Sequence, residues 1–76
     1  MKELLETIAK ALVEHPEEVV VNEVEGEKSV ILELKVSKND MGKVIGKQGR
    51  IANAIRTVVK AAAIRDNKKV VVEIIQ

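Results

Sequence analysis

Apolar residues recur along the start of the chain with the period of a helix. Leu5, Ile8, Ala9, Leu12 and Val13 fall at i, i+3, i+4, i+7 and i+8, one stripe of an α-helix over residues 2–14. Pro16 cannot continue it, and the residue before a proline avoids the helical region. The helix is therefore expected to end near Glu14 or His15. The period then changes. Residues 18–25 carry Val19, Val20, Val21 and Val24, β-branched side chains suited to a strand. Glu25-Gly26-Glu27-Lys28 reads as a turn. Residues 29–36 alternate, with Val30, Leu32, Leu34 and Val36 on one side and Ile31, Glu33 and Lys35 on the other, the period of a second strand. The short connection makes the pair an antiparallel hairpin.

Ser37-Lys38-Asn39-Asp40 is polar and rich in residues that cap helix starts. It predicts a short helix from about Asp40 to Ile45, stopped at Gly46. A longer helix is expected from Gly49 or Arg50 to about Arg65. Its apolar stripe is Ile51, Ile55, Val58, Val59 and Ala62, with Ala54 and Ala63 beside it. Arg50, Asn53, Thr57 and Lys60 form a polar side, with Arg56 near its flank. Ala61-Ala62-Ala63 suggests close packing. After a turn at Asp66-Asn67-Lys68, residues 69–75 read as a last strand with Val70, Val72 and Ile74 on one face. The order is α-β-β-α-α-β, with no repeat, low-complexity tract or linker. Apolar helix stripes covering one sheet face give a two-layer α+β sandwich.

Length narrows the function. A chain of 76 residues is expected to form one domain, residues 1–76. Such a domain buries only ~60% of its unfolded surface, and its core supplies ~3–5 kcal/mol of net stability. That leaves no room for a deep pocket and disfavours an enzyme with a large organic substrate; no small-molecule substrate is expected. There is no cysteine, hence no disulfide framework or thiolate chemistry. Met1-Lys2-Glu3-Leu4-Leu5-Glu6 is acidic where a signal peptide needs a basic region. No apolar run approaches the ~20 residues of a membrane helix. A soluble, cytoplasmic protein without a membrane partner is expected.

The net charge of +1 hides an asymmetry. Residues 1–34 hold three basic residues against nine glutamates, whereas residues 35–69 hold ten basic residues against Asp40 and Asp66. One-sided positive charge points to a polyanion site, although a solvated helix face is the plainer explanation of a charge run taken alone. The basic part contains Gly46-Lys47-Gln48-Gly49, entered by Val44 and Ile45 and left through Arg50 and Ile51. Glycine lacks a Cβ, so another chain can approach the turn closely. Lys47 and Arg50 bring positive charge to the same spot, and the start of a helix adds N–H donors. Two glycines spaced this way are weak evidence alone and could mark only a sharp helix corner. Hydrophobic-Ile-Gly-x-x-Gly-x-Ile between two helical segments is more specific: it is the pattern of the KH domain, whose GXXG loop clamps about four backbone nucleotides of single-stranded nucleic acid.

The element order and the place of the motif resemble a type II KH domain: a three-stranded mixed sheet packed on one face by three helices. His15-Pro16, the Val24-Glu25-Gly26-Glu27-Lys28 hairpin, Asp40 to Arg50 and Ala54-Ile55-Arg56-Thr57-Val58-Val59 together resemble the small bacterial single-KH proteins of the KhpA family, over nearly the full chain. The resemblance implies single-stranded RNA as ligand, and a homodimer or a heterodimer with a KhpB/Jag-type protein. It also implies a part in post-transcriptional regulation, RNA chaperoning and cell shape. It makes Gly46, Lys47, Gln48 and Gly49 the loop that holds the sugar-phosphate backbone. Val44, Ile45 and Ile51 match apolar positions that shape the groove or anchor the helices beneath it. No aromatic residue is present, a small departure from relatives with Phe or Tyr in the first helix.

Without Phe, Tyr or Trp the chain cannot stack bases on aromatic platforms. Base contacts must use an aliphatic groove and backbone hydrogen bonds. We expect phosphates at Gly46 and Gly49, with N–H donors from the start of the long helix. Lys47 and Arg50 supply charge, and Lys43 and Arg56 are lesser contributors. Bases would lie toward a groove between the helices and a sheet edge at the second strand. Catalysis fits poorly. A Walker A motif needs G-x-x-x-x-G-K-[ST], but Gly42 to Gly46 is one residue short and Gln48 stands at the Mg²⁺-ligating position. His15 is the only histidine, so no metal site, cofactor or catalytic triad is expected. The main rival is a KH fold serving as a protein-interaction or dimerisation module, with RNA contact secondary.

Overall fold

The computed structural model describes residues 1–75. Its elements are α1 (Lys2–Leu12), β1 (Val20–Glu25), β2 (Ser29–Lys35), α2 (Met41–Ile45), α3 (Arg50–Arg65) and β3 (Lys69–Ile75), with 3₁₀ turns at Pro16–Glu18, Lys38–Asp40 and Lys47–Gly49. The α-β-β-α-α-β order is as expected. So are a three-stranded mixed sheet and three helices on one of its faces. β1 and β2 are antiparallel, paired from Val20↔Lys35 to Glu25↔Val30. β2 and β3 are parallel, paired from Ser29↔Lys69 to Lys35↔Ile75. The inward residues of β2 and β3 (Val30, Leu32, Leu34, Val70 and Val72) are buried with Leu5 and Ala9 of α1, Val44 of α2, and Ile55 and Val59 of α3.

Several local expectations need correction. α1 stops at Leu12, and Val13 is already extended. The chain leaves the helix there because the carboxylate of Asp40 accepts the N–H of Glu14 at 3.2 Å and of His15 at 3.0 Å. Asp40 is thus not the side-chain cap of α2 that its position suggested. It is 1% exposed and ties the end of α1 to the start of α2. β1 begins only at Val20, because residues 16–18 form the 3₁₀ turn. The buried seam of α3 is Ala52, Ile55, Val59 and Ala63, rotated from the expected stripe. Val58 is 48% exposed, and of the alanine triplet only Ala63 is buried. Small residues on the seam let α3 sit close to its neighbours.

At one end of the sheet the Lys68 ammonium donates to the Glu25 carboxylate. That hydrogen bond, with the charge attraction, holds Glu25 below the usual carboxylate range and raises Lys68 above the usual lysine range. A carboxylate with a lowered folded pKa stabilises the fold above its unfolded pKa, and the contribution disappears as pH falls through the lowered value. At alkaline pH it is lost as pH rises through the raised pKa of Lys68. The pair is exposed, so the effect is small and screened by salt. Urea midpoints of wild type and Glu25→Gln are therefore expected to differ slightly at neutral pH and low salt. They should converge as pH falls through the lowered Glu25 value, or in high salt.

Candidate nucleic-acid interface

α2 ends where Gly46 donates its N–H to the carbonyl of Gly42 at 2.9 Å. Gly46 has φ 75 and ψ 174, a region essentially confined to glycine. A Cβ on it would lie 2.5 Å from Cγ1 of Ile51, so the side chain of Ile51 occupies the space that glycine leaves. Gly49 is left-handed, φ 74 and ψ 15, and a Cβ there would meet nothing within 4 Å. Gln48 is also left-handed, φ 57 and ψ 24, which costs a non-glycine residue about 1–2 kcal/mol. Strain of this kind collects at binding loops.

The N–H of Gly49 donates to the carbonyl of Gly46 at 3.2 Å, and that of Arg50 to the carbonyl of Lys47. Those two N–H groups close the turn. The N–H groups of Lys47 and Gln48 stand in its first turn, where a helical segment supplies no backbone acceptor. Lys47, Gln48 and Arg50 have exposed side chains, and a guanidinium N–H of Arg50 donates to Oε1 of Gln48 at 3.3 Å. Three side chains therefore gather into one polar, cationic tip.

The other sequence-derived candidates divide. Val44 is 0% exposed and supports the loop from within the core. Ile45 and Ile51 are half-buried beneath it. Lys43 turns toward the end of α1, with Nζ 3.6 Å from Oε1 of Glu14 and 4.0 Å from Oδ1 of Asp40. Arg56 lies on the flank of α3, its Nε donating to the carbonyl of Val72 at 3.3 Å and Nη1 to Oδ1 of Asn53 at 3.4 Å.

The sheet edge expected beside the helices is not the second strand. The strand order is β1-β2-β3, so β2 is central and hydrogen-bonded on both sides. The edge facing α3 is β3. Between them runs a groove lined by Arg56, Lys60, Lys69, Val70, Val71 and Val72, with an aliphatic floor and a cationic rim. Sequence reasoning left Lys60 and Lys69 out of the site. Both belong to the basic 35–69 stretch, but only the β2–β3 pairing brings Lys69 beside α3. A second groove between α1 and α3 is almost wholly apolar, with Leu4, Ile8, Leu12, Ile51, Ala54 and Val58 on its walls. His15, Glu17 and Glu18 bring one ligand atom each within 4.8 Å of one another on the first 3₁₀ turn. Such exposed groupings are common without a metal. Among the described residues no helix is long and apolar enough to cross a membrane.

Comparison with known proteins matches this chain to a family. A sequence model described as KhpA/KhpB, KH domain, matches residues 2–74. A protein of Clostridium perfringens named RNA-binding protein KhpA is 80% identical over 75 residues, covering 99% of this chain and all of that one. A protein of the same name from Listeria monocytogenes is 54% identical over 76 residues, covering both chains in full. Among solved structures, an Aquifex aeolicus Era variant bound to GDP·AlF₄⁻ superposes with a TM-score of 0.70 at 20% identity. Era in complex with MgGDPNP and nucleotides 1506–1542 of 16S ribosomal RNA gives 0.67 at 21%. Each alignment covers 96% of this chain and 28% of the Era chain, and the likeness is one of fold.

Proposed function

This chain belongs to the KhpA/KhpB KH-domain family, and we propose that it binds short single-stranded RNA through the Gly46–Gly49 loop and the groove between α3 and β3. The family is one of RNA-binding KH domains and not of enzymes. The observation that carries the reading is the loop itself: two successive left-handed residues, Gln48 and Gly49, set the exposed side chains of Lys47 and Gln48 beside Arg50, in a first turn whose N–H groups have no helical acceptor. A phosphate there meets amide donors and positive charge together. From the loop, Asn53, Arg56 and Lys60 lead down the flank of α3 to Lys69 on the edge strand. Bases would lie over Val70 and Val72, where aliphatic contact replaces aromatic stacking. Arg56 occupies the Val72 carbonyl in the free protein and would have to give way to a base hydrogen-bonding there.

The test is a Lys47→Asp, Gln48→Asp double variant. Both side chains are exposed and aspartate tolerates the left-handed region, so circular dichroism should show the fold unchanged. Affinity for a pool of short RNAs is expected to fall at least about 100-fold, the equivalent of losing one or two charge-assisted hydrogen bonds. The salt dependence should also be shallow, ~0.7 in logarithmic slope per phosphate contacted. A folded variant that binds as wild type does would transfer the function to a protein partner. Binding to single-stranded DNA of the same sequence tests for discrimination at the 2′-OH.

The second reading, an interaction module, is favoured by one observation: the apolar α1–α3 groove leaves Val58 48% exposed and Leu12 36% exposed. The two readings are compatible. One short module binds weakly, and a second copy or a KhpB/Jag-type partner raises avidity through effective concentration. We place the pairing surface at this groove. Val58→Asp should shift sedimentation from dimer toward monomer and weaken binding to long RNAs more than to short ones. A dimer that survives the change would put the interface elsewhere.

A further inference from the structure

All three helices lie on one face of the sheet, and the opposite face is open. Its residues form rows across the three strands. Val24, Ile31 and Val71 are register partners, and Val24 and Val71 are 56% and 43% exposed. Asn22, Glu33 and Glu73 form the next row. Beyond it Val20, 47% exposed, and Ile75 flank Lys35. An acidic band thus crosses the sheet between two bands with apolar ends. Isolated exposed valines are ordinary. A row continuous across every strand, next to a like-charge pair, is not.

The charge pair is what selects an occupant. Glu33 and Glu73 are direct cross-strand partners, an arrangement that destabilises a sheet. Among the described residues neither forms an ion pair. The nearest cation along β2 on this face is Lys35, one row away. A cationic group lying between the two carboxylates would relieve the repulsion. Stacking two copies of this face in register would instead bring acidic rows together, and the carboxylates at its centre are unfavourable for RNA or an anionic membrane, the lysines Lys35 and Lys69 lying in the outer rows. We propose that the open sheet face docks a segment of a partner protein that presents Lys or Arg between Leu, Ile or Val side chains. The Gly46–Gly49 loop belongs to the helical layer, so such a partner would leave it accessible; the two surfaces meet only at the β3 edge, where Val71 also lines the α3–β3 groove.

The probe is a helical 15-residue peptide carrying two lysines flanked by leucines, titrated into the full chain and followed by backbone amide NMR. Shifts are expected at Val24, Ile31, Glu33, Val71 and Glu73 and not at Gly46–Arg50. Glu33→Gln with Glu73→Gln should weaken the peptide at least about tenfold, with the melting temperature unchanged or higher and RNA affinity unchanged. The proposal is overturned by any of five results. The peptide fails to bind, a charge-reversed peptide binds equally, or the double variant binds as tightly as wild type. Alternatively, the shifts fall in the α1–α3 groove, or Val24, Ile31 and Glu33, which lie away from the α3–β3 groove, shift with protein concentration alone or with RNA.

Discussion

Gly46→Ala is expected to cost about 3 kcal/mol or more, and Gly49→Ala only about 1–2 kcal/mol, although the two glycines look equivalent in the motif. At Gly46 two penalties add. The backbone, φ 75 and ψ 174, lies outside the left-handed helical well that other residues sometimes visit. The new methyl would also stand 2.5, 2.8 and 2.9 Å from Cγ1, Cδ1 and Cβ of Ile51. A rotamer change in Ile51 could move the first two atoms but not its Cβ, which is fixed to α3. Either α2 and α3 must separate or the loop must refold. Gly49 has φ 74 and ψ 15 with open space around a Cβ, so only the backbone term remains. Against the ~3–5 kcal/mol available to so small a core, Gly46→Ala should leave much of the protein unfolded, and Gly49→Ala should leave it folded. Urea denaturation followed by circular dichroism measures both. Equal losses would show that Ile51 yields freely, and a further Ile51→Ala change should rescue Gly46→Ala only in part.

The second large effect is expected far from the loop. Asp40→Ala should destabilise by about 3 kcal/mol, since hydrogen bonds to a charged group contribute about 1.5–3 kcal/mol each and two are lost. That corresponds to a fall in melting temperature of roughly 12–24 °C at 4–8 °C per kcal/mol. The change strands the N–H groups of Glu14 and His15, which now donate to the two carboxylate oxygens. Asp40→Asn keeps one acceptor and sets an NH₂ against the other donor, so an intermediate loss is expected. Hydrogen exchange at Glu14 and His15 is the specific readout. Protection that persists in Asp40→Ala would mean those amides have another acceptor.

These residues also show where the sequence was legible. The alternation of Val30, Leu32 and Leu34 specified β2 and its inward face, because strand period and burial are local. The bounds of α3 followed from Gly49 and from the Asp66–Asn67 turn. What escaped were decisions made between distant segments. The end of α1 is set by a side chain 26 residues away from Glu14, and Pro16 only bounded it. The buried seam of α3 rests on Ala52 and Ala63, too small to stand out in a hydrophobic pattern dominated by Ile51 and Val58. Strand order is a pairing choice, and nothing local to β2 says that it is paired on both sides. The loop was visible as a motif. The unequal demands on its glycines were not, because they depend on where Ile51 packs.

The parallel pairing of β2 with β3 has a consequence for biosynthesis. Ser29 waits for Lys69, and Lys35 for Ile75, so the central strand lacks one neighbour until residues up to Ile75 have left the ribosome. The hairpin of β1 and β2 is complete well before the edge strand that pairs with it. Because chains emerge from the N-terminus at about 5–20 residues per second, the interval lasts only seconds. Through it the nascent hairpin exposes the hydrogen-bonding edge of β2, and slowing translation over residues 50–75 would lengthen its exposure to aggregation.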